Sequence, residues 1–400
     1  MIPSLRQQFN ASFTPEKYQT FLRRIDAACG THVQFRLSET PCFFPKSLLD
    51  RMAADGKELI RQLVDNPEYR KRSDASIPEE FRVPNEAERP LFVQVDFGLV
   101  RDANGDLRPK LVELQAFPSL YAYQVTLAQS YIDVYGLDGF DGGENLRFFL
   151  GELDEKCYRE LLRTAIVGTH DPENVILMEV HPEMQKTLPD FLLTEKMLGI
   201  KTVDITAITK HRSQLYYERD GARVPIRRIY NRAIVDELQR KNIKLAFDWR
   251  DDLDVEWAGH PNWYFRISKF SIPYLKHESV PKTWFLDRLE HIPDDLQNYA
   301  LKPLYSFAGL GVVIAPTKED IAVIPAEKRA DYILQERMHF EPVIETPFGL
   351  TKAEVRVMYV WQEELQAVLT IIRMGRGLMM GVDHNKNMEW VGASTALYIE

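Results

Sequence analysis

Two short strands carrying acids and amides on one face constrain this chain more than any other stretch of it. Leu91 to Val100 and Lys110 to Ala116 alternate as strands. Asn104-Gly105 between them signals a two-residue hairpin turn, because both positions accept positive φ. With 104 and 105 as the turn, Asp96 lies opposite Glu113 and Gln94 opposite Gln115. All four project from one face, and Val95, Phe97, Val112 and Leu114 from the other. Carboxylates directly opposite one another repel. A divalent cation between them removes that penalty, and oxygens from Asp96, Glu113 and Gln115 suit magnesium. An exposed hairpin whose acids face water or a nearby lysine is the alternative reading of the same residues.

Phe117-Pro118-Ser119 leads from the second strand towards a helix expected to begin near Leu120 and run to Tyr135, with Ser119 as its N-cap. The free N–H groups of such a helix start are a ready site for a phosphate or carboxylate, which makes Ser119 a candidate substrate contact. Ordinary capping explains the same pattern.

A second set of features lies two hundred residues downstream. Tyr299 to Leu304 reads as a strand containing Lys302, and Gly311 to Ile314 as its successor. The loop between them, with Ser306 and Gly309, is neither a Walker P-loop nor a dinucleotide fingerprint. Its backbone N–H groups can fold over phosphates beside the point charge of Lys302, or it is an ordinary hairpin tip. Arg356 and Arg373 each sit on an apolar strand. A cation there needs an acid, such as Glu354 or Asp383, or a phosphate.

The rest of the chain reads as follows. Helices are expected from Thr14-Pro15 and over 45–65, with Leu49, Met52, Leu59, Ile60 and Leu63 on the apolar side of the second. The polar, proline-containing stretch 66–89 reads as a linker or exposed loop. Val175 to Val203 has the pattern of a strand–helix–strand α/β unit.

Acidic and basic residues are mixed along the chain, the net charge is −9, and no basic stripe stands out, which argues against a nucleic-acid partner. No stretch has the ~18 uninterrupted apolar residues of a membrane span, and the first residues lack a signal-peptide core, so a cytoplasmic location is expected. Cys29, Cys42 and Cys157 have no metal-ligand spacing and read as reduced thiols.

Together these segments resemble the circularly permuted ATP-grasp enzymes, of which glutathionylspermidine synthase is the type. In that family a segment of the form Arg-x-Asp, a turn, Glu-x-Asn and a Thr/Ser-Pro helix start precede the nucleotide lysines. Gln94-Val95-Asp96, Glu113-Leu114-Gln115 and Phe117-Pro118-Ser119 stand in those places. Ile267-Ser268-Lys269-Phe270 resembles the segment of the first ATP lysine, Lys302 and its glycine loop follow, and Gln335 and Glu336 match the adenine hinge. Arg227-Arg228-Ile229-Tyr230-Asn231-Arg232 is similar to the family's paired-arginine segment.

The resemblance implies an α/β (α+β) chain with a circularly permuted ATP-grasp fold and a Rossmann-like pre-ATP-grasp unit. Its parts are an N-terminal helical region (1–89), a metal-binding part (90–165), the pre-ATP-grasp-like unit (170–260) and a lysine-bearing part (261–400). It implies ATP and Mg2+ as cofactors. Asp96, Glu113 and Gln115 hold the metal, and Lys269, Lys302, Ser306, Gly309, Gly311, Gln335 and Glu336 the nucleotide. Arg356 and Arg373 stabilise the transferring phosphoryl group. The activity implied is ATP-dependent joining of a small-molecule or peptide carboxylate to an amine. A small-molecule kinase or an inactive ATP-binding module on the same fold are the alternatives. Gln115 in place of Asn lengthens one ligand arm, and Gln94 in place of Arg removes a charge near the phosphate.

Overall fold

The computed structural model describes residues 1–305, 311–385 and 387–400, the side chains of Asp236 and Asp383 excepted. It is a mixed α/β chain with several sheets. The largest is antiparallel and has the order Gly392–Ser394, Leu365–Gly375, Gly349–Trp361, Phe92–Arg101, Leu107–Gln115, with Ile344–Thr346 added beside Gly349–Trp361. The strands from residues 92–115 and those from residues 344–394 thus join edge to edge in one sheet, Phe92–Arg101 beside Gly349–Trp361, although some 230 residues separate them in the chain.

One face of that sheet carries Val93, Val95, Phe97, Leu114, Val355, Val357 and Ile372, all buried. The helix Lys46–Val64 covers it with Leu49, Met52, Leu59, Ile60 and Leu63, the stripe expected from the sequence. Each such side chain contributes about 1.5–3 kcal/mol by leaving water. The helix lies so close that a Cβ on Gly56 would come within 2.1 Å of the Tyr359 hydroxyl oxygen. Thr14 caps the preceding helix, Pro15–Cys29, as its sequence predicts, by accepting from the Lys17 amide.

A second, wholly parallel sheet has the order Glu256–Ala258, Arg228–Asn231, Val175–Glu179, Lys201–Asp204, with the helix Leu188–Leu198 linking its last two strands. A smaller antiparallel sheet, Thr283–Phe285, Tyr332–Glu336, Tyr299–Pro303, Val313–Ile314, carries Lys302. Among the described residues no helix is long and apolar enough to cross a membrane.

Three expectations need correction. The stretch 66–89 is not a free linker: it contains the helix Pro67–Arg72, and Tyr69, Ile77, Phe81 and Val83 are buried. Arg266 holds it through Asp74 and Glu86 at 2.6 and 2.7 Å. The hairpin tip is not a two-residue turn. Arg101 pairs with Leu107, so residues 102–106 form a five-residue loop, closed by the Asp102 carboxylate accepting from the Asn104 and Asp106 amides. The helix expected from Leu120 instead begins at Tyr123.

Candidate functional site

The five-residue tip would put the hairpin one residue out of the expected register, but a bulge at Val112 restores it. Leu111 pairs with Phe97, and beyond the bulge Glu113 pairs with Asp96 and Gln115 with Gln94. The two carboxylates therefore do face one another. On the other side Arg356 lies directly across from Asp96, and Glu354 from Arg373. Alternation along these four strands brings Gln94, Asp96, Glu113, Gln115, Glu354, Arg356 and Arg373 onto one face.

Asp96, 1% exposed, receives a forked ion pair from Arg356, Nε to Oδ1 at 2.5 Å and Nη2 to Oδ2 at 2.6 Å. Arg373 Nη1 adds a third hydrogen bond to Oδ2 at 2.9 Å and a further one to Glu354. Burial by itself would raise the Asp96 carboxyl, but the two guanidiniums outweigh it and hold the group below the usual carboxylate range. Burial pushes Glu354 upward. Arg356 Nη1 also donates to Gln94 Oε1 at 2.9 Å. With its amide oxygen turned to the guanidinium, Gln115 accepts from Arg356 at 2.7 and 3.0 Å. The repulsion that argued for a metal is thus relieved by arginine.

The lysines arrive from outside the sheet. The Leu107–Gln115 strand is its edge, and the segment 267–279 runs along it, with Leu111 N–H donating to Ser279 O and Ala116 N–H to Ile267 O. This sets Lys269 Nζ 3.5 Å from Glu113, whose other oxygen is 3.8 Å from Arg356. Lys302 reaches in from the smaller sheet, donating to Gln335 Oε1 at 2.6 Å and to the carbonyl of the bulged Val112 at 3.3 Å. Burial pushes its amine down to about 8.

Four basic side chains thus face three carboxylates in one cluster that is buried except at Glu113 and Arg373, which are partly exposed. Such a cluster can accept a polyanion. It does not fit a resident magnesium ion as arranged. Both oxygens of Asp96 and the amide oxygen of Gln115 are committed to guanidinium N–H groups, which leaves Glu113 alone with loosely paired oxygens.

The remaining expected residues are spread more widely. Gln335 is buried and engaged with Lys302 and Thr283. Glu336 ends the same strand beside Lys282. Gly311 turns with φ +73° just before Val313–Ile314, and Ser306 and Gly309 lie outside the described residues. Ser119 is not an N-cap; its carbonyl accepts from Gln94 at 2.9 Å. The cap is Asp190, from the helix beside the parallel sheet, whose carboxylate accepts from Leu120, Ala122 and Tyr123 N–H at 3.0–3.1 Å. The helix start does bind an anion, but one the protein supplies. Sequence reasoning missed Asp190, which sits in an ordinary amphipathic stretch. Glu354 was expected only as a candidate ion-pair partner of the strand arginines, and it pairs with Arg373.

No family model matches the chain, and no curated protein matches it in sequence. Among solved structures it is similar to a glutathione synthetase-like effector, GSS30, from Globodera pallida, in its apo form. The match has a TM-score of 0.58 at 11% identity and spans 96% of this chain and 98% of the effector. At that identity the likeness is one of fold alone, a mixed α/β architecture shared with a glutathione synthetase-like protein.

Proposed function

We propose that the chain is an ATP-dependent carboxylate–amine ligase built on a circularly permuted ATP-grasp fold. The observation that carries this reading is the convergence of Glu113, Lys269, Lys302, Arg356 and Arg373 on one cluster from segments far apart in sequence. The ligase-type reading also draws on the likeness to a glutathione synthetase-like fold.

In this reaction a carboxylate oxygen attacks the γ-phosphorus of ATP, the bond to the β-phosphate oxygen breaks, and ADP leaves. The amine then attacks the acyl phosphate, inorganic phosphate departs, and the amine loses a proton as the amide forms. Positioning and charge neutralisation are the main requirements. Lys269 and Lys302 neutralise the polyphosphate, and Arg373, held by Asp96 and Glu354, offers a fixed guanidinium to charge that develops on the phosphoryl group. Magnesium enters with the nucleotide as part of the substrate, Glu113 being the carboxylate with oxygens to spare. Partners are a small-molecule or peptide carboxylate and an amine, and neither a nucleic acid nor a membrane is invoked.

Gln94 favours a second reading, an ATP-binding module without turnover or a kinase. It leaves the site one arginine short of the resembled family, and its amide is engaged with Arg356 and Ser119.

The test is a melting-temperature titration with magnesium–ATP of wild type, Glu113→Ala and Lys302→Ala. Binding to the folded state must raise the transition by mass action. A rise in wild type that both variants lose supports one shared site; no rise at millimolar ATP removes the reading. ADP released only with both a carboxylate and an amine identifies the ligase, and ADP with a carboxylate or alcohol alone identifies the kinase.

A further inference from the structure

The parallel sheet gathers a second set of donors, of a different kind. Val175–Glu179 and Lys201–Asp204 run side by side and end together, Glu179 opposite Asp204. The carboxyl ends of strands are where open α/β sheets take their ligands. Just past the first strand His181 turns with φ +44°, and Pro182–Met184 follows as a short turn bearing Glu183. One donor atom from each of His181, Glu183 and Asp204 then lies within 4.8 Å of the other two. Among the described residues this is the one histidine, cysteine or acid group of three to do so.

Asp204 is fixed from behind: its Oδ1 accepts from the Thr206 amide and hydroxyl at 2.9 and 2.8 Å, and its Oδ2 lies 2.8 Å from His181 Nδ1. Held this way, a carboxylate needs little reorganisation to take up a ligand. The charge balance differs from that around Asp96. There arginines neutralise the acids. Here the side chain paired with Asp204 is the His181 imidazole rather than a guanidinium.

We propose that His181, Glu183 and Asp204 bind a divalent transition-metal ion of borderline hardness. One imidazole nitrogen and two carboxylate oxygens are the donor set that suits zinc and its neighbours better than magnesium or calcium. A tetrahedral ion with bonds near 2.1 Å sets its ligands roughly 3.4 Å apart, so shifts of about an ångström close the site. Three protein donors leave one position open to water or to an oxygen of a bound molecule.

The probe is Co2+, added to chelator-stripped full-length protein and followed by its visible absorption, with Zn2+ competition by calorimetry. Wild type is expected to bind one equivalent and to give the intense bands of a four-coordinate ion. Glu183→Gln, an exposed change that leaves the fold intact, and His181→Ala should each weaken binding roughly tenfold or more. Glu113→Ala should leave it unchanged, which separates this site from the nucleotide reading. Absence of stoichiometric binding in wild type overturns the proposal. So does unaltered affinity in both Glu183→Gln and His181→Ala, because the ion then sits elsewhere.

Discussion

Asp96 and Asp190 are both buried carboxylates that tie distant parts of the chain together, and their surroundings move them in opposite directions. Burial raises both. At Asp96 two guanidiniums in direct contact overcome it. At Asp190 three backbone N–H groups and the charge of Arg232 do not, and the carboxyl stays above its ordinary value. Arg232 itself donates to the Pro118 carbonyl and packs over the Phe117 and Phe191 rings. The first aspartate organises cations that remain within reach of a ligand. The second is spent on joining two helices and a strand-to-helix turn. A buried acid marks a candidate site only when the charges it gathers have somewhere else to act.

The sharpest way to break this comparison is Asp190→Ala. It strips three N–H groups of their acceptor and removes a charge that acts on Arg232, so urea unfolding should show a loss of about 3–5 kcal/mol. A variant as stable as wild type would remove the structural role. Asp96→Asn, which keeps the shape and loses the charge, should cost less, about 1.5–3 kcal/mol.

The two positions also differ in sign with pH. With its folded value below 3.8, Asp96 binds fewer protons in the folded state, so its stabilisation is present above 3.8 and disappears as pH falls through that lower value. Asp96→Asn should lose this acid limb. Asp190, with its value raised, contributes oppositely, most at low pH.

Glu179 extends the contrast to the parallel sheet. Burial pushes its carboxyl from 4.5 to about 8. The folded state then binds the extra proton, so stability declines as pH rises between those values, by at most about 1.4 kcal/mol per pH unit. Denaturation of Glu179→Gln across that window should give a flatter profile than wild type. The smallest effect is at Lys302. If its ammonium form receives the polyphosphate, ATP affinity should fall roughly threefold across the pH unit centred on about 8. Lys302→Gln should bind weakly with no such dependence.

Most of the site's strands were legible because alternation is a local property. The strands bearing Asp96, Lys302, Arg356 and Arg373 lie where their apolar spacing predicts them. The partners were not legible. Whether Arg356 meets Glu354, Asp383 or a phosphate depends on which strand pairs with 349–361, and the neighbour turned out to be 92–101, 260 residues from Arg356 to Asp96. The same holds for Asp190, whose capping of the 123–135 helix rests on a contact between two helices, 67 residues from Tyr123 to Asp190. The stretch 66–89 misled because its few apolar residues are spaced irregularly, yet Ile77, Phe81 and Val83 pack into the core of the parallel-sheet unit and Tyr69 into that of the large sheet.

The bulge at Val112 has a consequence for how such a chain tolerates change. It stands between the five-residue tip and the Asp96–Glu113 pair, and the small sheet is pinned to it through Lys302. Additions or losses at positions 102–106 can be absorbed on the tip's side of that kink without sliding one acid past the other. Removing Val112 itself would erase the kink and leave Glu113 opposite Asp96, at the loss of the carbonyl that receives Lys302, whereas removing Leu114 would carry Gln115 opposite Val95, onto the face packed against the Lys46–Val64 helix. The two ends of one hairpin are therefore open to variation on unequal terms: the tip freely, the inner half hardly at all.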